Sequence, residues 1–294
     1  MTPTRNSQTE NRYLSRARTL IQRYLKTNKI SEIEDGYTGL VQWLASRQPH
    51  MRPATWRQNK ASIYFYLSSF GYNEAADLLS TINSEDTKKV KDKTSSLKKK
   101  CINQREEDKI RKALIQDIKE SSGYLSKPLL AIFESLLTTG MRPVEMNSAT
   151  IINDNEPSVF KGEAPFLMIK NGKNSNGRTF GEYRYVGISS YSEKQIAMIK
   201  LGLKYMRECK DENGEQLELN DYYNRLRAKF RRIIKRALPE TKKHISLYSC
   251  RHQFIANLKL QKYTLIEIAA IVGHGVTDTA EQTYGRKRYG KSGG

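Results

Sequence analysis

The sequence has few of the residues that build disulfide or metal centres. Its 294 residues include three cysteines, Cys101, Cys209 and Cys250, and four histidines. The cysteines lack the paired spacing of a zinc site. We therefore expect reduced thiols, as in cytoplasmic proteins, with neither a disulfide framework nor a structural metal.

Long apolar runs are also missing. No stretch of about 18 apolar residues that could cross a membrane is present. The first ten residues, MTPTRNSQTE, are polar and lack the apolar segment of a signal peptide. The phosphate-binding pattern GxxxxGK followed by Ser or Thr does not occur either. The sequence therefore predicts no membrane insertion and gives no sign of nucleotide-driven chemistry.

Acidic residues are scarce relative to basic ones. There are 31 Asp and Glu against 51 Lys and Arg, which gives a formal net charge of +20. Residues 1–103 alone carry 18 Lys and Arg against 9 Asp and Glu, so the excess extends along the chain. A charge of this size repels itself unless a polyanion offsets it. We therefore expect a cytoplasmic, nucleoid-associated protein that binds nucleic acid; an anionic membrane surface is the weaker alternative.

Helical periodicity and one lysine-rich segment divide the chain. Apolar residues recur at helical spacing in residues 1–83, which predicts a helical DNA-binding domain. The predicted helices are 11–27, 37–46, 54–70 and 73–82. Residues 84–103 are predicted to be an interdomain linker, because their first seventeen residues hold seven lysines and one leucine. The linker is either simply solvated or also drawn to DNA phosphates.

Residues 104–294 are predicted to form a second domain, mostly helical with a small β-sheet. Two apolar runs, 166–169 and 183–188, flank Asn-Gly and Gly-rich turn residues, which predicts a β-hairpin. Helical patterns flank the hairpin on both sides. The predicted helices are 105–121, 129–137, 192–208, 221–237, 249–260 and 264–272.

An anion site is predicted where one helix ends and another begins. In TTGMRPVE (138–145), Gly140 ends an apolar helix and Pro143 starts the next one. Arg142 lies at that start, where free backbone N–H groups and a guanidinium could bind an anion. The alternative is that Arg142 pairs with a nearby carboxylate such as Glu145.

Two later segments also place polar groups beside apolar helices. In LYSCRHQF (247–254), Arg251 lies beside a core-facing stretch and therefore needs an anion or a paired acid. His252 is expected to form a hydrogen bond within the core. His274 follows a helix that ends in glycine, where it could donate to a phosphate oxygen or serve a structural role. Tyr284 lies ten residues further on.

Taken together, these segments resemble the sequence boxes of the tyrosine recombinases, the phage-integrase family. TGMRPVE at 139–145 resembles the first box, TGxRxxE. YSCRHQF at 248–254 resembles the second box, HxLRHxF, except at its first residue. VGH at 272–274, followed by Thr283 and Tyr284, resembles the third box with a spacing one residue longer. The resemblance covers residues 104–294 and implies the family's core-binding domain upstream.

The resemblance also assigns roles to the hairpin and to the second box. The hairpin lysine of the family is matched by Lys170, which would protonate the leaving 5′-oxygen as general acid; Lys173 is the alternative. Tyr248 stands where the family has histidine or lysine. A phenol, with an ordinary pKa of about 10, donates a hydrogen bond but accepts a proton poorly. Either Tyr248 only positions the phosphate and the proton of Tyr284 goes elsewhere, or the enzyme is slow or inactive until assembled. His244 is a poorly placed substitute.

The implied mechanism cuts DNA with neither a metal nor a nucleotide cofactor. Tyr284 would attack a backbone phosphate and form a 3′-phosphotyrosine; Tyr289 is the alternative nucleophile. Arg142 and Arg251 would hold the nonbridging oxygens with fixed positive charges. His274 would add a further hydrogen bond.

Cations outside the boxes predict additional DNA contacts. The helix 221–237 carries seven cations, more than a solvated face usually needs, and some are expected in or beside the major groove. They are Arg225, Arg227, Lys229, Arg231, Arg232, Lys235 and Arg236. Arg57 and Lys60 are similar candidates in the first domain. Two basic domains joined by a lysine-rich linker suggest a clamp around double-stranded DNA.

The predicted function is site-specific recombination for the integration or excision of a mobile element. The resemblance implies that the protein assembles as a tetramer on two paired sites. A type IB topoisomerase-like enzyme would use the same chemistry without strand exchange. An inactive DNA-binding protein of the same fold is another alternative, with Tyr248 as its first sign. A basic scaffold would explain the charge but not the boxes.

Overall fold

The computed structural model describes residues 7–88, 99–121, 123–153, 164–171, 181–273 and 290–291. These residues form ten α-helices and one three-stranded antiparallel sheet, which confirms the predicted fold class. The chain divides into two compact units, residues 1–93 and 94–294. Among the described helices, none has the length and apolar character needed to cross a membrane.

The first unit is a helical domain built around a buried tryptophan. Its helices are α1 (Ser7–Asn28), α2 (Thr38–Ser46), α3 (Pro53–Ser69) and α4 (Asn73–Thr81), with a short 3₁₀ helix at Gln48–His50. Trp56 of α3 is fully buried beside Leu20 of α1 and Leu44 of α2. The apolar periodicity predicts all four helices, because each of them turns one apolar face to this core.

The second unit is organised around one apolar helix. Its helices are α5 (Gln104–Glu120), α6 (Ser126–Thr139), α7 (Glu193–Glu208), α8 (Leu219–Ala237), α9 (Leu247–Leu260) and α10 (Leu265–Val272). Helix α6, with the sequence SKPLLAIFESLLTT, buries residues on nearly every side and packs against α5, α7 and α9. A helix that is apolar all round belongs inside a domain. The position of α6 therefore determines where its C-terminal end, and Arg142 beyond it, can lie.

The sheet consists of β1 (Thr150–Ile152), β2 (Phe166–Lys170) and β3 (Tyr183–Gly187), in that spatial order. Strands β2 and β3 form the predicted hairpin, and Lys170 pairs with Tyr183 at its loop end. Strand β1 was not predicted, because three residues are too few to show an alternating pattern. In β3, the side chains of Arg184 and Val186 lie on the buried face.

The last residues of the predicted linker belong to the second unit. The Lys99 N–H donates to the carbonyl of His244 at 2.9 Å. Ile102 is fully buried, and its N–H donates to the Oε1 atom of Gln253 at 3.0 Å. The lysine content predicted that residues 99–103 would be solvated. Instead, the buried Ile102 and these two hydrogen bonds attach them to the second unit. The rest of the predicted boundary stays a prediction.

Gly140, at the end of α6, is a position where only glycine fits. Its φ is +63°, and a Cβ there would lie 2.2 Å from the ring of Phe254. We expect Gly140→Ala to lower the free energy of unfolding by about 2–5 kcal/mol, through backbone strain and overpacking. Gly214→Ala is the matched control, because Gly214 has φ +86° with open space around it. Strain alone predicts a loss of about 1–2 kcal/mol at Gly214; equal losses in denaturant unfolding would contradict the packing argument.

Candidate active site

Arg142 is held by a carboxylate three residues later in the chain. It precedes a 3₁₀ helix at Pro143–Asn147, and its backbone N–H donates to Oε2 of Glu145 at 2.8 Å. Its Nη1 atom donates to Oε1 of the same carboxylate. Both residues are buried, with Arg142 9% and Glu145 2% exposed. Of the two alternatives at Arg142, the carboxylate pair is present, and contact with a substrate anion stays a prediction.

Arg251 of α9 bonds to two backbone carbonyls. Its side chain is fully buried. Nη1 donates to the carbonyl of Gly140 at 2.8 Å, and Nη2 donates to the carbonyl of Val272. These two carbonyls stand at the C-terminal ends of α6 and α10, and the expected contact with an anion or a paired acid stays a prediction. Such carbonyls carry the partial negative charge of a helix end, which suits a cation.

A third buried arginine, Arg184 of β3, was missed by the sequence analysis. Its Nη2 donates to Oε2 of Glu145 at 2.5 Å, and its Nη1 donates to Oδ1 of Asn171 at 2.6 Å. Its Nε donates to the carbonyl of Ile271 at 3.1 Å. The signal that could have found Arg184 is its alternation with Val186, which puts a charge on the inner face of the hairpin.

The three arginines control the ionisation of Glu145. Burial by itself would raise the pKa of this carboxyl, but Arg184, Arg142 and Arg251 lower it to about 2. Burial also lowers the pKa of Arg251 to about 10, and the neighbouring Arg142 acts in the same direction. At neutral pH the cluster therefore contains three guanidinium ions around one carboxylate.

Stability at low pH should depend on Glu145. Because its pKa falls from 4.5 to about 2 on folding, its contribution is present above pH 4.5 and is lost as the pH falls towards 2. The full effect is on the order of 3 kcal/mol. We expect the difference in unfolding free energy between wild type and Glu145→Gln to shrink across this window in urea titrations. A difference independent of pH would contradict the depressed pKa.

Lys170 lies at the loop end of the hairpin and is exposed. Its Nζ is 3.1 Å from Oε1 of Glu182, and both side chains are 53% exposed. The pair with Glu182 raises the pKa of Lys170. Lys170 therefore carries its proton at neutral pH, as a general acid must before the reaction. The proposed role is consistent with this state.

Tyr248 lies in the first turn of α9, one turn before His252. The two rings are edge to face, with centroids 5.6 Å apart. Both side chains are partly buried. The electrostatic influence of Tyr248 reaches Arg251, so the residue that departs from the family pattern lies close to the arginine cluster.

Four of the predicted site residues lie outside the described part of the chain. They are Lys173, His274, Tyr284 and Tyr289. The described chain reaches Gly273, which ends α10 with φ +68° and directly precedes His274. Their predicted roles therefore remain predictions.

One side of the basic helix α8 forms ion pairs with α5, and another side is exposed to solvent. Lys229 and Arg236 both bind Asp117 of α5, with N–O distances of 2.6 and 3.1 Å. Arg227, Arg231 and Lys235 are exposed and follow one another at intervals of four residues. The exposed side suits a DNA backbone better than the side that is paired with Asp117.

Arg225 and Arg232 of α8 are also exposed. In the first unit, Arg57 is exposed, and its Nε donates to the carbonyl of Pro53 at 3.4 Å. Lys60 instead donates to the carbonyls of Ser80 and Ile82 at the end of α4. Lys60 therefore caps a helix, and Arg57 is the more accessible of these two candidates for DNA contact.

Comparisons with known proteins identify the fold but no near relative. No protein-family model and no curated protein matches the sequence. Among solved structures, a lambda integrase tetramer bound to a Holliday junction aligns with a TM-score of 0.55 and 13% identity. The alignment covers 92% of this chain and 72% of that one.

Two other solved structures align over nearly the whole chain. A lambda integrase (75–356) dimer bound to a core site gives a TM-score of 0.51 and 14% identity, covering 100% of this chain and 92% of that one. The integrase of the Tn1549 transposon, in complex with transposon right end DNA, gives a TM-score of 0.51 and 13% identity. That alignment covers 96% of this chain and 90% of the other. The helical first unit, the second unit with its small sheet and these alignments together show that the chain has the tyrosine recombinase fold.

Proposed function

We propose that this protein is a site-specific DNA recombinase that cuts and rejoins DNA through a 3′-phosphotyrosine intermediate. The observation that carries the proposal is the buried cluster in which Arg142 and Arg251, from separate segments, meet around Gly140 and Glu145. Among the described residues, three guanidinium groups lie around the Glu145 carboxylate, an arrangement that suits an anionic group. In this fold, a DNA phosphate is the anion that such a cluster would receive.

The proposed chemistry proceeds by displacement at phosphorus. The Oη atom of Tyr284 releases its proton to solvent and forms a bond to the scissile phosphate, and the bond from phosphorus to the 5′-oxygen breaks. Lys170 transfers its proton to that oxygen as general acid. The energy of the phosphodiester is kept in the covalent link, so a 5′-hydroxyl from a partner strand can reverse the step. No metal or nucleotide cofactor is required.

The arginines stabilise the charge that develops during this displacement. Negative charge gathers on the nonbridging oxygens, where Arg142 and Arg251 supply fixed, permanently charged donors. His274 adds a hydrogen bond, and Tyr248 positions the phosphate with its hydroxyl. Because Glu145 already orients Arg142, little reorganisation is needed when the substrate arrives.

The proposed partner is double-stranded DNA, and the proposed assembly is a tetramer on two paired sites. One similar structure is a tetramer on a Holliday junction, and another holds a transposon end. These similarities support a role in moving a mobile element, and association with the nucleoid is part of the proposal. Contacts outside the site are assigned to exposed cations of the described residues, namely Arg57, Arg225, Arg227, Arg232 and Lys235. Lys173, which lies outside the described residues, is assigned a further contact.

Covalent trapping tests the proposal. Nicked duplexes that span the junctions flanking the gene are incubated with the protein and separated on a denaturing gel. We expect a protein–DNA band with one junction, which also locates the cleavage site. Strong binding to these duplexes without any covalent band would show an inactive DNA-binding protein of this fold. Relaxation of supercoiled DNA without synapsis of paired sites would instead favour a topoisomerase-like enzyme.

A further inference from the structure

Arg184 uses each nitrogen of its guanidinium on a different segment. Nη2 donates to Glu145 after α6, Nη1 donates to Asn171 after β2, and Nε donates to Ile271 in α10. The side chain is 3% exposed. Three bonds from one rigid planar group fix three pieces of chain relative to one another.

Each of these three segments carries a group of the proposed site. Glu145 binds both the backbone and the guanidinium of Arg142. Asn171 directly follows Lys170 in the sequence. Ile271 lies three residues before His274. Arg184 is thus hydrogen-bonded to Glu145, the partner of Arg142, and to Asn171, the residue after Lys170.

Asn171 also joins the two strands of the hairpin just beyond their last paired residues. The N–H of Asn171 donates to the carbonyl of Glu182 at 2.8 Å, and its Nδ2 donates to the carbonyl of Gly181 at 3.1 Å. Because its Oδ1 accepts from Arg184, Asn171 also connects this end of the hairpin to the arginine cluster.

The packing around Gly273 shows how closely the third segment is held. A Cβ at Gly273 would lie 2.3 Å from Oδ1 of Asn171 and 3.0 Å from Cδ of Arg184. The residue before His274 therefore rests directly on the pair formed by Arg184 and Asn171. A glycine with positive φ allows this approach.

A purely structural role explains these contacts poorly. A buried charge is costly to desolvate, and an apolar side chain of similar volume often serves a core equally well. Lysine would keep the charge, but its single nitrogen cannot replace the planar fork of arginine. The feature specific to arginine here is the simultaneous orientation of three segments.

We propose that Arg184 is a positioning residue, which aligns Arg142 through Glu145, Lys170 through Asn171, and the segment leading to His274 through Ile271. This inference rests on the proposed function. It assigns Arg184 no contact with DNA. Its removal should therefore slow strand cleavage without weakening DNA binding to the same extent.

The first test compares cleavage with binding in Arg184→Lys and Arg184→Gln. Misplacement of reacting groups by about 1 Å can cost about 100-fold in rate. We expect covalent complex formation to slow by roughly 10- to 100-fold in both variants. Non-covalent affinity, measured by fluorescence anisotropy on an intact site, should stay within about threefold. Val186→Ala is the matched control, because Val186 is buried on the same face of β3 and should cost stability but not the cleavage rate.

The second test isolates the route through Asn171. In a substrate with sulfur in place of the 5′-bridging oxygen, the leaving group needs no proton, because a thiol pKa is near 8.5. We expect Asn171→Ala to slow cleavage of normal DNA and to regain most of the wild-type rate with the sulfur substrate. Arg184→Lys should recover only partly, since its route to Arg142 does not involve the leaving group.

The outcomes separate this inference from the proposed function. If the wild type forms no covalent complex at any junction, the proposed function fails and the positioning role fails with it. If the wild type cleaves and Arg184→Lys cleaves equally fast, only the positioning role is overturned. A rate loss matched by an equal loss of binding, or by Val186→Ala, would also overturn it. If the Arg184 variants do not fold, the Asn171→Ala variant decides. If the sulfur substrate does not restore its cleavage rate, the positioning role is overturned.

Discussion

Phenylalanine at position 284 is expected to abolish covalent attachment of the protein to DNA. The change removes one oxygen atom, the proposed nucleophile, and keeps the ring. No other group in the proposed chemistry can replace that oxygen, so the loss of the denaturant-resistant complex should be complete. Affinity for an intact site should be unchanged within about threefold, because phosphate contacts from basic residues dominate binding. Gel trapping and anisotropy on the same duplex measure the two quantities.

Tyr289→Phe is the matched control for this experiment. It makes the same chemical change five residues later in the same basic segment, GRKRY. We expect Tyr289→Phe to trap DNA at the wild-type rate. If instead Tyr289→Phe abolishes the complex and Tyr284→Phe keeps it, the alignment of the third box is off by those five residues. The assignment of the nucleophile to Tyr284 would then be wrong.

Lysine in place of Arg251 is expected to give the next largest loss. Removal of one preorganised donor at a developing negative charge typically costs about 10²- to 10³-fold in rate. Arg251→Lys keeps the charge but loses the planar fork, which bonds at the same time to the carbonyls of Gly140 and Val272. We expect single-turnover cleavage to fall by roughly that factor.

The matched control is Arg231→Lys on the exposed side of α8. The same exchange at this exposed residue keeps the point charge, which is sufficient for any backbone phosphate that it meets. Its cleavage rate should stay close to that of the wild type. If Arg251→Lys also cleaves at the wild-type rate, the fork geometry at Arg251 has no part in catalysis. If Arg251→Lys were merely unfolded, thermal unfolding would show it, and DNA binding would be lost together with cleavage.

The helices were predictable from sequence because they obey a local rule. Each helix of the first unit repeats apolar residues at helical spacing, and α6 is rich in apolar residues. The position of Arg142 after Gly140 was predictable for the same reason. Glycine and proline mark the end of one helix and the start of the next, which leaves Arg142 between them.

The links among the segments could not be predicted, because they join residues far apart in the chain. Arg184 contacts Ile271 across 87 positions, and Arg251 contacts Gly140 across 111. Neither contact has a local pattern. The sequence indicated that buried Arg251 needs partners, but it did not indicate the two helix-end carbonyls that bind it. Strand β1 was missed because three residues show no period.

The buried arginine cluster also has a consequence for the stability of the fold. In the described part of the chain, Arg142, Arg184 and Arg251 lie around Glu145, and all four residues are buried. Three buried positive charges close together repel one another, and a bound anion would offset part of that repulsion. If a DNA phosphate binds at the proposed site, DNA should therefore stabilise this unit against unfolding as well as supply the substrate.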